Sequence, residues 1–134
     1  MTAKRIEAVL RPASVAVVGA SDTPGSIGEV LCRNLHEGGF RGPVFYVNPR
    51  HASIGDKPSY PDVRSLPQTV DVAIIATPPP TLPTVLEHCG ERGVRGAIIV
   101  SAGFREGGEA GAAWERSMLQ VARRYGLRLL GPNS

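Results

Sequence analysis

Aromatic side chains are scarce, at 5% of the chain, and cysteine is limited to two residues. Cys32 and Cys89 match no metal-ligand or redox spacing. Both fall within helical patterns, so they read as small reduced core residues rather than as a disulfide or a nucleophile. Long apolar runs are missing: none approaches the roughly 18–20 residues that span a bilayer. The opening MTAKRIEAVLRP lacks the apolar core and small-residue cleavage site of a secretory signal. A strong charge of one sign is missing too. Lys and Arg total 15 against 12 Asp and Glu, a net charge of +3. That excess is too small and too dispersed for a nucleic-acid binder, and it suits one polyanionic small molecule. A cytoplasmic protein with neither nucleic-acid nor membrane partners is expected.

What is present is ordinary globular composition, 42% hydrophobic and 20% charged in 134 residues, enough for a single packed domain spanning 1–134. Apolar runs alternate with amphipathic stretches. Ser14 to Gly19 reads as a buried strand, short, β-branched and stopped by glycine. Val44 to Asn48, Val72 to Ala76, Ala97 to Val100 and Leu127 to Leu130 repeat the pattern, ended by Pro49, a proline run and Gly131-Pro132.

Helical patterns fill the gaps. A short one is expected around Lys4 to Leu10. Ile27, Val30, Leu31 and Leu35 recur at helical spacing, opened by a capping box of Ser26 and Glu29 and closed by Gly38-Gly39. Leu82, Val85, Leu86 and Cys89 form a second stripe, closed near Gly93. Trp114, Met118, Val121, Ala122 and Tyr125 form a third, with Glu106 and Glu109 near its start and Arg123 and Arg124 at its end, as the helix dipole favours. Strand–helix alternation with continuously apolar strands predicts an α/β, Rossmann-like, doubly wound parallel sheet of five strands in the order 3-2-1-4-5.

The first strand runs directly into Gly19-Ala20-Ser21-Asp22-Thr23-Pro24-Gly25-Ser26-Ile27-Gly28. Gly19 permits a sharp exit from the strand, Gly25 lets backbone N–H groups face a ligand, and Gly28 lets the helix pack closely. With the helix N-terminus, this is a recurring site for a diphosphate. Glycines serving only as turn formers are the plainer alternative. The loop has no Walker lysine, and it is longer than the G-x-G-x-x-G of dinucleotide binders. The second strand ends in Asn48-Pro49-Arg50-His51, without the acid that holds the ribose hydroxyls of NAD. An arginine there suits a ribose phosphate, which both NADP and coenzyme A carry; a solvated surface arginine is the alternative. Asp22 and Glu29 place two acids beside the expected anion site.

The segments SVAVVGASDTPGSIG, VFYVNPR, YPDVRSLPQTVDVAIIATPP, GVRGAIIVSAGF and ARRYGLRLLGPNS resemble, in that order, the CoA-binding domain of the NDP-forming (ADP-forming) acyl-CoA synthetases. That superfamily includes the succinyl-CoA synthetase α chain, and related domains occur in multidomain protein acetyltransferases. The resemblance implies that Gly19, Ala20, Ser21, Thr23, Gly25, Ser26, Ile27 and Gly28 hold the nucleotide end of CoA or acyl-CoA. It implies that Asn48 and Arg50 meet the adenosine or 3′-phosphate region, Arg50 standing where the family usually has lysine. Thr77, Pro78 and Pro79 would form part of the adenine and pantetheine groove. Ser101, Ala102 and Gly103 would lie toward the reactive thiol, and Gly131-Pro132-Asn133-Ser134 matches a segment that continues into a ligase domain.

The family's phosphohistidine and ATP-grasp nucleotide site belong to downstream domains or a partner subunit. His36 and His88 read as surface or packing residues, and His51 as at most an aid to a phosphate contact. The chain alone is therefore expected not to catalyse, and to be the N-terminal part of something longer. A stand-alone CoA-binding regulatory module and an NAD(P)-binding oxidoreductase fragment are the alternatives.

Overall fold

The structure, a computed structural model, describes residues 11–100 and 108–131. The expected helix at Lys4 to Leu10, the Ser101-Ala102-Gly103 loop and the Pro132-Asn133-Ser134 end lie outside the described residues. Seven strands are present: β1 (Val15–Val18), β2 (Val44–Val47), β3 (Ser53–Ile54), β4 (Lys57–Tyr60), β5 (Val72–Ile75), β6 (Gly96–Ile99) and β7 (Arg128–Leu130). Among the described residues three α-helices join them: α1 (Ile27–Glu37), α2 (Leu82–Arg92) and α3 (Gly108–Tyr125).

The α/β parallel character holds, but the expected five strands in the order 3-2-1-4-5 do not. The sheet has seven strands ordered β3-β4-β2-β1-β5-β6-β7, and β3 runs antiparallel to β4, so it is mixed. The five anticipated strands stand as β2-β1-β5-β6-β7. The anticipated third strand, β5, pairs with β1, Val15 against Val72 and Val18 against Ile75. The place outside β2 belongs instead to β4, which pairs in parallel through Tyr46–Ser59 and Val47–Tyr60. Its Lys-Pro-Ser-Tyr sequence has none of the apolar continuity of a central strand.

Both faces of β1 are buried, which is why its four residues are all apolar. Ala16 and Val18 point to the side covered by α2 and α3, where Leu82, Leu86, Cys89, Met118 and Val121 complete the larger core. Val17 points to the other side, against Cys32 of α1, Tyr46 and Ile54. The second helix is entered through Pro79–Thr81, a 3-10 turn, and closed by Gly93 in the left-handed conformation at φ 79°, its N–H donating to Cys89 and Gly90. A Cβ on Gly90 would lie 2.2 Å from the Tyr125 ring, so glycine allows α2 and α3 to approach. Glu87 ties the pair further, accepting from the Tyr125 hydroxyl and from Arg124.

Candidate functional site

The chain leaves β1 toward β2 on one side of the sheet and later returns to β5 on the other, so the carboxyl ends of β1 and β5 flank a topological switch point. The glycine loop leaves from that point. Gly19 sits at φ 91° and Gly25 at φ 82°, conformations that side chains rarely adopt. Gly19 and Ala20 donate their N–H groups to the Val47 carbonyl, tying the loop to the end of β2 at 2.9 and 3.3 Å. Gly28, in the first turn of α1, lies against the loop: an added Cβ would come within 2.0 Å of the Gly19 carbonyl oxygen. The close helix approach expected of Gly28 is therefore present.

Ser26 caps α1, its hydroxyl oxygen accepting from the Glu29 N–H and donating to the Thr23 carbonyl. The capping box is shifted by one residue. Glu29 reaches past Ser26 and accepts from the Gly25 N–H at 3.1 Å, with Arg33 beside it at 3.6 Å. Asp22 accepts from the Gly55 N–H at 3.2 Å, joining the loop to the β3–β4 hairpin. Both acids beside the loop thus have structural partners. Within the loop, the Ser21 hydroxyl accepts from the Thr23 N–H. Ile27, counted in the apolar stripe of α1, is 51% exposed at the start of the helix.

Asn48 bridges two parts of the rim. Its amide donates to the Ala20 carbonyl at 2.9 Å, and its carbonyl accepts from the Arg50 N–H at 2.8 Å. The Arg50 side chain is exposed. Across the switch point, the Thr81 hydroxyl donates to the Pro78 carbonyl at 2.6 Å and shares a hydrogen bond with the Thr77 hydroxyl at 2.8 Å, holding the proline turn at the end of β5. A cavity of about 160 Å³ with an apolar floor lies between these elements, lined by Gly19, Val47, Pro49, Thr77, Thr81 and His88 among others. Pro78 and Pro79 flank it in sequence without lining it. Of the site residues expected from the sequence, Gly19 and Thr77 line this cavity, Asn48 is tied to the loop at Ala20 and to the Arg50 backbone, and Ser21 lines a separate concavity, while Ser101, Ala102 and Gly103 are not described.

His88, expected to be a surface or packing residue, is half-buried on α2 and lines this cavity together with Val85. The i, i+3 spacing of these residues on α2 was the available signal. A second, larger concavity of about 490 Å³ opens between α1 and the β3–β4 hairpin, lined by Asp22, Cys32, His36, Tyr46 and Lys57 among others. It too touches the glycine loop, through Ser21, Asp22 and Pro24. Burial pushes the Cys32 thiol and the Tyr46 hydroxyl up from their ordinary values. The Cys89 thiol, under α2, is pushed up by burial to about 12. These thiols stay protonated at neutral pH, which removes them as nucleophiles. Among the described residues no cluster of His, Cys, Asp and Glu could hold a metal ion, and no helix is long and apolar enough to cross a membrane.

Residues 13–134 match a family model for a CoA binding domain. The chain is 45% identical over 123 residues to "Acetate--CoA ligase [ADP-forming] II" of Archaeoglobus fulgidus, a match covering 92% of this chain and 18% of that protein. It is 44% identical to "Acetate--CoA ligase [ADP-forming] I subunit alpha" of Pyrococcus furiosus, covering 96% of this chain and 29% of the subunit. Its backbone superimposes with a TM-score of 0.87 on the apo form of the "dinucleotide forming Acetyl-coenzyme A synthetase 1" of Ca. Korarchaeum cryptofilum, at 38% identity, covering 96% of this chain and 28% of that one. The chain thus spans less than a third of each of these relatives. With its glycine loop at the switch point of a Rossmann-like sheet and its sequence matched from residue 13 onward, the chain belongs to the CoA-binding domain family.

Proposed function

We propose that the crevice at the switch point binds CoA or acyl-CoA, and that the chain serves as the CoA-binding part of an ADP-forming acyl-CoA ligase. The observation that carries this reading is the glycine loop. Its backbone is held open by Gly19 and Gly25 at positive φ and delivered to the N-terminus of α1 by the contact between Gly28 and Gly19. The N–H groups of Gly19, Ala20, Thr23, Gly25 and Ser26 already have acceptors within the protein, so those of Ile27 and Gly28 at the helix start are the donors that favour a diphosphate. Gly19 to Gly28 would hold that group, with the exposed Ile27 offering apolar contact. Asn48 and Arg50 would meet the ribose and its 3′-phosphate, and Thr77 with Pro78 and Pro79 would border the groove. Ser101, Ala102 and Gly103 follow β6, whose carboxyl end opens on the same side of the sheet, and would lie toward the thiol.

The rest of the reaction falls to other parts. Neither His36, His51 nor His88 has a partner set suited to carrying a phosphoryl group. The reading therefore assigns acyl activation and nucleotide binding to ligase and ATP-grasp domains or a subunit, consistent with a relative that is itself named an α subunit. A cytoplasmic setting fits two cysteines that are free thiols.

Thermal unfolding of the chain with CoA, acetyl-CoA, ADP, NAD and NADP tests the reading. A ligand at 100 times its Kd stabilises by about 2.7 kcal/mol, so a site of about 10 μM affinity registers clearly at about 1 mM ligand. CoA and acetyl-CoA should raise Tm most, and ADP less. A rise with NADP and none with CoA would return the crevice to a hydride-transfer cofactor.

A further inference from the structure

The crevice cavity holds a polar ring that the fold itself does not use. Thr81, Val85 and His88 follow one face at the start of α2 and line the cavity of about 160 Å³. The other polar side chains on its wall are engaged. The Thr81 hydroxyl is taken up by the Pro78 carbonyl and the Thr77 hydroxyl, and Asp62 accepts the Ser65 N–H at 2.9 Å. His88, half-buried, has neither a hydrogen bond nor an ion pair among the described residues.

Size and lining suit one neutral planar ring. An apolar cavity of about 150 Å³ takes up a benzene molecule. Pro49 and Pro61 give this one stiff walls, and valines of β1, β2 and α2 give it an apolar floor. No Lys or Arg is among its lining residues, so a diphosphate finds no cation there. Pro49 directly precedes Arg50, which sets the cavity next to the position proposed for the ribose 3′-phosphate. The base of a nucleotide is joined to that same ribose.

We propose that His88 recognises the base of CoA, its imidazole hydrogen-bonding the amino-bearing edge of the adenine ring. A neutral imidazole carries one donor and one acceptor, and that edge of adenine offers an amino donor beside a ring-nitrogen acceptor. The proline and valine walls hold the faces of the ring, which leaves its edge to the one side chain with hydrogen-bonding capacity to spare. This inference rests on the reading of the crevice as a CoA site and adds the residue that meets the base.

The test combines calorimetry and NMR on the 134-residue chain. His88→Leu should bind CoA and adenosine 3′,5′-bisphosphate about threefold to tenfold more weakly than the native chain, the worth of one neutral hydrogen bond. His88→Gln, which keeps a donor and an acceptor, should recover most of that loss. In NMR spectra of the native chain, the His88 ring signals should move with adenosine 3′,5′-bisphosphate as they do with CoA, and stay in place with 4′-phosphopantetheine, which lacks the base. Unchanged affinity in His88→Leu, equal losses in the Leu and Gln variants, or ring signals that follow 4′-phosphopantetheine would each overturn the role of His88 and leave the CoA reading standing. A native chain that binds no CoA would overturn that reading itself, and the role of His88 with it.

Discussion

Gly28 and Gly19 are in contact so close that one methyl group does not fit between them: a Cβ on Gly28 would lie 2.0 Å from the Gly19 carbonyl oxygen. The first turn of α1 and the exit from β1 therefore set each other's position. Gly28→Ala should push helix and loop apart and cost about 1–3 kcal/mol of stability, as overpacked sites do. CoA affinity should fall as well, because the loop N–H groups lose their placement. Urea unfolding combined with CoA titration checks both. Unchanged CoA binding in a destabilised variant would remove the loop from the binding site.

Glu29 holds the Gly25 N–H at 3.1 Å, beside the donors that a diphosphate would use. Glu29→Gln keeps an oxygen there and removes the charge. Two unit charges about 6 Å apart in water interact by roughly 0.7 kcal/mol, so CoA should bind about threefold more tightly. Stability should fall slightly, through the loss of the Arg33 pair at 3.6 Å. Binding and stability moving in opposite directions is the signature. Calorimetric titration showing weaker CoA binding would mean that the carboxylate orders the loop for the ligand.

Asn48 should tolerate neither loss of its amide nor its conversion to an acid. The amide donates to Ala20 at 2.9 Å, and the carbonyl accepts from the Arg50 N–H at 2.8 Å. Asn48→Ala removes two hydrogen bonds worth about 1 kcal/mol each. Asn48→Asp keeps the acceptor but turns an oxygen toward the Ala20 carbonyl and adds a charge near the proposed phosphate position. CoA affinity should therefore fall further in Asn48→Asp than in Asn48→Ala. The reverse order would show that Asn48 acts only through Arg50.

The glycine loop could be read from the chain because its parts are covalently local. The loop between β1 and α1 carries its glycines, cap and helix start within ten consecutive positions, from Gly19 to Gly28. Strand order could not be read that way. Lys57–Tyr60 holds a lysine, a proline and a serine, and it becomes a strand only by pairing with β2 and with Ser53–Ile54. Without it, Val72–Ile75 appeared free to take the outer place. The cavity wall around His88 is likewise non-local, since it draws on β1, β2 and the turn after β4.

Burial of Cys89 predicts a pH dependence of stability with a definite sign. Its thiol is pushed from 9.0 to about 12, by burial. In the unfolded chain the same thiol ionises near its ordinary value. The contribution of the protonated form is therefore fully present below pH 9.0 and is lost as pH rises to about 12. The loss approaches about 1.4 kcal/mol per pH unit within that window. Between pH values near 8 and near 10, native chain should lose about that much more stability than Cys89→Ala. Equal losses in the two proteins would assign the alkaline slope to other groups.

Arg50 makes the sharpest prediction about the ligand. Its backbone is fixed by Asn48, while its side chain reaches into solvent beside the crevice. If it meets the ribose 3′-phosphate, CoA should bind more tightly than dephospho-CoA, and Arg50→Ala should erase most of the difference. A charge-assisted contact is worth about 1.5–3 kcal/mol, and the exposure of Arg50 points to the lower end, roughly tenfold. Added salt should shrink the discrimination, because an exposed charge is screened within about 10 Å at 0.1 M. Arg50→Lys should restore only part of it, since an ammonium lacks the planar fork that meets two phosphate oxygens. Calorimetry with native, Arg50→Ala and Arg50→Lys proteins and both ligands completes the cycle. Equal affinity of the native chain for CoA and dephospho-CoA would take Arg50 out of the site and leave the 3′-phosphate to another cation.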